Sequence, residues 1–170
     1  AVHREAELME PVKERADFVI DTSYLSTAQL RGELLKIFGD PLEKGGMAVS
    51  VISFGFKHGL PMEADLVFDV RFMPNPFYIQ ELRSLTGLDK PMADYVFGFQ
   101  QTKDFLAKLE DLLAFSLPLY AEEGKTQLVI AVGCTGGHHR SVAVTHALAG
   151  FIHGLGYQVL ENHRDMTRGG

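Results

Sequence analysis

The chain has 170 residues and a formal net charge of −6 at neutral pH, with 46% hydrophobic and 22% charged residues. This length predicts one domain, or one domain with part of another, and the hydrophobic content excludes a disordered chain. The negative charge argues against a globally basic nucleic-acid-binding protein.

The first forty residues have a helix–strand–helix pattern. Residues 1–16 are predicted to be helical with an interruption at Pro11, residues 17–22 form a short strand of the buried type, and residues 29–38 form a second helix. Because a Gly-Asp-Pro sequence ends that helix, we expect a boundary near residues 40–46, which separates a segment 1–42 from a unit 43–170.

Strands and helices alternate in the second unit. The predicted strands are 47–54, a segment within 64–72, 128–132 and 157–160, and the predicted helical segments are a turn at 78–82 and helices 102–122 and 141–152. Pro91 is expected in the first turn of the next helix. This alternation predicts an α/β fold, with a mixed or mostly parallel sheet flanked by helices and ligand loops at the C-terminal ends of the strands.

A glycine-rich loop over residues 133–141 links a buried strand to a helix. Such a turn directs unpaired backbone N–H groups and the positive end of the helix towards one point, which suits an anion. Three interpretations remain open: anion binding, a purely structural turn, and the Cys-x5-Arg-Ser loop of a cysteine-dependent phosphatase, with Cys134 as nucleophile and Arg140 gripping phosphate. The phosphatase also needs a mobile general acid, and none of the three candidate aspartates stands out: Asp69, Asp89 and Asp94.

Two other polar loops follow predicted strands, one at Lys57 and His58 and one over residues 69–75. Since the carboxyl ends of parallel strands share one edge of a sheet, all three loops are expected to build one cleft. For Asp69 and Arg71 a structural ion-pair network is an equally good interpretation.

Several functions lack the residues that they need. The loop 133–141 has two histidines where a Walker A motif needs glycine and lysine, so this polypeptide alone is not expected to be an ATPase or kinase of that class. No histidine spacing matches a metal motif, and adjacent His138 and His139 would not easily face one centre. We instead interpret His58 and His139 as ligand-facing donors.

The only cysteine excludes an internal disulfide framework. No apolar run reaches the roughly 18 residues of a membrane helix, and no signal peptide is expected. We therefore expect a cytoplasmic protein that does not bind membranes.

Four segments, in order and with matching spacing, closely resemble the C-terminal domain of the RapZ/YvcJ family. They are residues 53–59 (SFGFKHG), 65–76 (DLVFDVRFMPNP), 85–91 (LTGLDKP) and 133–141 (GCTGGHHRS). Residues 16–22 with the following helix resemble the end of the P-loop domain that precedes it in the family. The resemblance therefore implies that ATP or GTP binds to an upstream domain and that this chain carries no cofactor.

The resemblance further implies a regulatory sensor, not an enzyme, that links cell-envelope precursor supply to regulation. Its expected ligand is glucosamine-6-phosphate or UDP-N-acetylglucosamine, and we expect a homo-oligomer with a regulatory protein or RNA partner. The alternative is an RNA-binding adapter that presents a small RNA to a ribonuclease, although the RNA-handling branch has histidine where this chain has Phe77.

From the motif matches and the loop positions together, we expect one ligand site without catalytic or metal-binding residues. Its expected members are Lys57, His58, Asp69, Arg71, Asn75, Cys134, Thr135, Gly136, Gly137, His139, Arg140 and Ser141.

Overall fold

A computed structural model of the chain describes residues 15–16, 19–23, 30, 34 and 46–168. Within these, the strands are β1 (Ala48–Gly55), β2 (Leu66–Asp69), β3 (Gln127–Cys134) and β4 (Gln158–His163), and the helices are α1 (Lys90–Phe97), α2 (Gln100–Glu122) and α3 (Arg140–Gly154). Short 3₁₀ turns cover Phe56–His58 and Pro76–Tyr78.

The four strands form one sheet in the order β2-β3-β1-β4, and every neighbouring pair is parallel. The predicted α/β fold with a mostly parallel sheet is therefore confirmed. In the register, Gly55 lies opposite Cys134 and Asp69 lies opposite Gly133, so β1, β2 and β3 end at the same edge. The central strands β1 and β3 are buried along almost their whole length because both of their faces are covered.

Helices on the sheet complete the hydrophobic core. In α2, Leu109, Leu113 and Leu117 are buried at a spacing of four residues, so they form one inward stripe of the helix. Nine residues of α3 are buried, because this helix packs directly on the central strands. No helix in the described part of the chain has the length and hydropathy needed to cross a bilayer.

The structure departs from the sequence prediction at several elements. Helix α1 was not predicted as a separate helix: Pro91 lies in its first turn, and Gly98 and the extended Phe99 separate it from α2. The helical turn predicted at 78–82 is the 3₁₀ turn at Pro76–Tyr78 and the turns that follow it.

Little of the predicted N-terminal unit, residues 1–42, is described. The predicted helices at 1–16 and 29–38 lie mostly outside the described residues, although Leu30 and Leu34 are helical. The strand predicted at 17–22 is not formed over residues 19–22. Val19 is 62% exposed there, whereas a strand of the buried type requires a neighbouring strand and a covered face.

Candidate functional site

A cleft of about 200 Å³ lies at the sheet edge where β3 ends and α3 begins. The loop Thr135–His139 crosses from the strand to the helix and forms one wall. Nine residues line the cleft: Lys57, Asn75, Phe77, Cys134, Thr135, Gly136, His138, His139 and Arg140. The cleft therefore draws on all three loops that the sequence pattern placed at strand ends.

Arg140, the first residue of α3, provides a buried positive charge in this cleft. Its side chain is held by backbone carbonyls rather than by an acid: Nη1 donates to the carbonyl oxygens of Arg71 and Met73, both at 2.9 Å. Nη2 lies 3.4 Å from the hydroxyl of Thr135, and the buried Nε has no partner among the described residues. The residue is only 4% exposed, so its charge lies largely out of water. No described acidic side chain forms an ion pair with it, although its charge helps to lower the pKa of Asp69.

The start of α3 adds to this positive potential. The N-cap residue His139 makes no side-chain capping bond, and the first turn contains no acidic residue. The first N–H groups of a helix carry a partial positive charge and have no partners within the helix. Lys57 lines the same cleft, whereas none of the nine lining residues is Asp or Glu. The cleft lining therefore carries positive and no negative side-chain charge, which suits an anion.

The two adjacent histidines both line the cleft, although neither belongs to a group of described side chains that could hold a metal ion. The non-helical backbone of His139 (φ −112°, ψ −86°) turns the chain at that point, and the two rings pack edge to face at 4.7 Å. His139 lies 3.3 Å from the carbonyl of Arg83 through Nε2. Burial, reinforced by the charges of His138 and Arg140, lowers the pKa of His139, so its ring is neutral at pH 7 and the cationic role falls to Arg140.

The glycines of the loop allow an unusually close approach to β1. A Cβ atom on Gly55 would lie 2.6 Å from the carbonyl group of Gly136, and one on Gly137 would lie 2.6 Å from the backbone nitrogen of Gly55. Gly137 also has φ +80°, a conformation that strains any residue with a side chain. The loop and the end of β1 are therefore in backbone contact.

Replacing Gly137 by Ala should destabilise the fold by about 2–4 kcal/mol, because the new methyl group adds steric overlap to a left-handed conformation that itself costs about 1–2 kcal/mol. Gly59→Ala is the matched control, since Gly59 has φ +83° but open space around its Cβ position. Urea unfolding should show a loss of about 1–2 kcal/mol for the control and a clearly larger one for Gly137→Ala. Equal losses would contradict the close approach.

Asp165 stabilises the contact between the loop and the end of β1, a role that the sequence pattern did not predict. Its side chain is fully buried, and Oδ2 accepts hydrogen bonds from the backbone N–H of Gly55 at 2.9 Å and from Arg164 at 2.7 Å. The next residue, Met166, accepts a hydrogen bond from Nδ1 of His138 through its carbonyl oxygen. Asp165 follows strand β4 by two residues and so lies at the same sheet edge, but the sequence alone does not show that β4 adjoins β1.

Seven of the twelve expected site residues line the cleft: Lys57, Asn75, Cys134, Thr135, Gly136, His139 and Arg140. Gly137 and Ser141 lie behind that lining and contact the sulfur of Cys134, each at 3.2 Å. Phe77 and His138 line the cleft but were not among the expected residues. The sequence analysis had noted Phe77 only as a departure from the RNA-handling branch.

The remaining three expected residues lie outside the cleft lining. Arg71 donates to both carboxylate oxygens of Asp69 and its guanidinium lies 4.0 Å from the ring of Phe56, which is the structural ion-pair arrangement. These hydrogen bonds lower the pKa of Asp69, so it remains charged. His58 is half-buried, and its Nε2 has no partner among the described residues.

The three aspartates considered as a general acid are all engaged elsewhere. Asp69 is paired with Arg71, Asp89 accepts from the backbone and hydroxyl of Thr86, and Asp94 pairs with Lys90 on an exposed face of α1. None of them lines the cleft. In the described residues, no group of three or more His, Cys, Asp or Glu side chains could hold a metal ion.

Comparison with known proteins gives a consistent result. The family model of the RapZ C-terminal domain matches residues 47–167. The chain is 52% identical over 168 residues to a nucleotide-binding protein of Caldicellulosiruptor bescii, which covers 99% of the chain and 58% of that relative. It is 48% identical over 167 residues to a nucleotide-binding protein of Carboxydothermus hydrogenoformans, which covers 98% of the chain and 58% of that relative. The chain thus spans a little over half the length of the curated relatives it matches.

Proposed function

Because the chain belongs to the RapZ C-terminal domain family, we propose that it is a regulatory sensor domain whose cleft binds the phosphate of an amino-sugar metabolite. The expected ligands are glucosamine-6-phosphate and UDP-N-acetylglucosamine, and the expected effect is a link between cell-envelope precursor supply and regulation. Arg140 and the backbone N–H groups at the start of α3 hold the phosphate.

One observation carries this proposal: the buried guanidinium of Arg140 has no acidic partner among the described residues. A buried cation is costly unless it is paired, and carbonyl oxygens satisfy its donors without neutralising its charge. A phosphate group supplies both the charge and additional acceptor oxygens, in a forked geometry that guanidinium groups match well.

The size and polarity of the cleft favour the smaller of the two ligands. A volume of about 200 Å³ is below the roughly 300–1,000 Å³ of pockets that enclose drug-sized molecules, so a nucleotide sugar would extend beyond it. The amide of Asn75 and the hydroxyl of Thr135 lie in the same lining and suit sugar hydroxyl groups.

Titration calorimetry with four ligands tests the proposal. Glucosamine-6-phosphate should bind, glucosamine should bind far more weakly because it lacks the phosphate, and glucose-6-phosphate reports what the amine contributes. UDP-N-acetylglucosamine is the fourth ligand and, by the size argument, should be weaker than glucosamine-6-phosphate. If glucosamine binds as tightly as its phosphate ester, the anion site is not the ligand site.

The two alternatives have less support. An RNA adapter requires positive potential over a surface long enough to follow a phosphate backbone, and the chain has a net charge of −6. RNA binding whose affinity falls steeply between 50 and 200 mM salt would support the RNA-adapter function instead. A cysteine phosphatase would hydrolyse an aryl phosphate, and Cys134→Ser would eliminate that activity. The cleft lining, however, contains no Asp or Glu that could act as the general acid.

The proposal also covers the part of the protein outside this domain. The name "nucleotide-binding protein" belongs to relatives that are considerably longer than this chain, and we attribute ATP or GTP binding to the part of the protein upstream of the domain described above. In this proposal the protein is a cytoplasmic homo-oligomer that conveys the ligand signal to a regulatory protein or an RNA.

A further inference from the structure

Cys134, the only cysteine of the chain, is one of the residues that line the anion cleft. It is the last residue of β3 and only 3% exposed, yet it forms part of the cleft lining. Two groups contact its sulfur: the backbone N–H of Gly137 donates to Sγ at 3.2 Å, and the hydroxyl of Ser141 lies 3.2 Å away. Cys134 therefore contributes to the cleft lining while the loop and α3 contact its sulfur.

The surroundings of the sulfur favour negative charge at the position that a ligand would take. Lys57 and Arg140 line the same cleft, no acidic residue does, and the helix start is uncapped. Arg140 gives a second sign that a ligand binds here. The residue is only 4% exposed, and its Nε has no partner among the described residues. Cysteines next to cations at helix N-termini are the ones that react with electrophiles and oxidants.

We propose that Cys134 is an oxidative modification site and that its oxidation closes the anion cleft. In the reaction with a hydroperoxide, an S–O bond forms and the O–O bond breaks. Sulfur is oxidised by two electrons to the sulfenic acid, the peroxide is reduced to water or an alcohol, and the thiol proton passes to the departing oxygen. The new oxygen then occupies the space and the donors that a phosphate group would use.

This inference rests on the proposed anion binding, because it makes ligand and oxidant competitors for one site. A bound phosphate ester should shield the sulfur, and an oxidised sulfur should exclude the ester. The domain would then report metabolite supply only under reducing conditions. A thiol reductant reverses the sulfenic acid, so the effect is a switch.

The test treats the protein with hydrogen peroxide in the presence of a cyclic 1,3-diketone that traps sulfenic acids, and follows the adduct by intact mass. Because there is one cysteine, one adduct per chain identifies Cys134. Glucosamine-6-phosphate at roughly 100 times its Kd should slow trapping about 100-fold, since about 1% of the sites are then free. Oxidised protein without the trap should bind the ester at least about 100-fold more weakly, and dithiothreitol should restore binding.

Two variants, together with the urea-unfolded chain as a reference, distinguish the possible outcomes of the test. Ser141→Ala removes one contact to the sulfur and should change the trapping rate, with thermal unfolding as the check that it folds. Cys134→Ser, whatever its own affinity, should bind with an affinity that peroxide does not change. The inference is overturned if the folded protein forms no adduct under conditions in which the urea-unfolded chain does, or if the oxidised protein binds the ester as before. Adduct formation in a protein that binds no phosphate ester at all would instead overturn the proposed function and, with it, the role of oxidation as a switch.

Discussion

Arg140→Ala is expected to weaken the binding of glucosamine-6-phosphate by about 2–5 kcal/mol, which is between roughly 30-fold and 5,000-fold in Kd. The reason is that the ligand's phosphate would lose its buried cationic partner while still giving up its hydration on entering the cleft. Titration calorimetry on the wild type and the variant measures the difference directly.

Two further variants separate charge, geometry and folding. Arg140→Lys keeps the positive charge but loses the planar fork of donors, so it should bind with an intermediate affinity. Lys103→Ala removes an equal charge from an exposed position on α2, outside the cleft lining, and should leave Kd unchanged. Thermal unfolding without ligand verifies that Arg140→Ala still folds, because the side chain also holds the carbonyls of Arg71 and Met73. Wild-type affinity in a folded Arg140→Ala protein would refute the site.

Asp165→Ala is expected to lower the free energy of unfolding by about 3 kcal/mol and to weaken ligand binding as well. The substitution leaves the buried N–H of Gly55 without an acceptor and removes the partner of Arg164, which is itself three-quarters buried. Because Gly55 and Gly137 are in backbone contact, the disturbance reaches the anion loop. Urea unfolding at pH 7 measures the first effect and calorimetry the second.

The Asp165→Asn variant and the pH dependence of its stability show how much of this stabilisation is due to the charge of Asp165. Burial raises the pKa of Asp165, but hydrogen bonds from Arg164 and Gly55 outweigh this, so the net pKa lies below the ordinary value of 3.8. A lowered carboxyl pKa contributes stability that is fully present well above 3.8 and is lost as the pH falls through the folded-state pKa. The stability difference between wild type and Asp165→Asn should therefore be complete at pH 7 and shrink as the pH falls below 3.8. A difference that grows in acid would contradict the assignment.

The sequence pattern was sufficient for the α/β fold and for the expectation that three polar loops meet at one edge of the sheet. Alternating apolar strands and helices allow few arrangements, and a parallel sheet brings the loops after β1, β2 and β3 to one edge. The strand–loop–helix context of residues 133–141 was enough to expect an anion site at Arg140, because helix starts attract anions whatever the rest of the fold does.

What the sequence could not supply was the choice of partner for each charged side chain. Asp69 and Arg71 are two residues apart on a strand end, where a local ion pair competes with ligand contact, and only coordinates show that the pair forms. Asp165 required knowledge of which strand β4 adjoins, since it acts on Gly55 across a sequence separation of 110 residues. The break between α1 and α2 depends on one glycine, a signal that helices often tolerate.

The backbone contact between Gly55 and Gly137 has a kinetic consequence. A loop held between β1 and a buried carboxylate has little conformational freedom to lose when a ligand arrives, so association should not await a rearrangement. Ligands of similar charge should then enter at similar rates, and selectivity among sugar phosphates should lie in their residence times. If the domain acts as the proposed sensor, it should follow the ligand concentration promptly and discriminate between metabolites by their residence times.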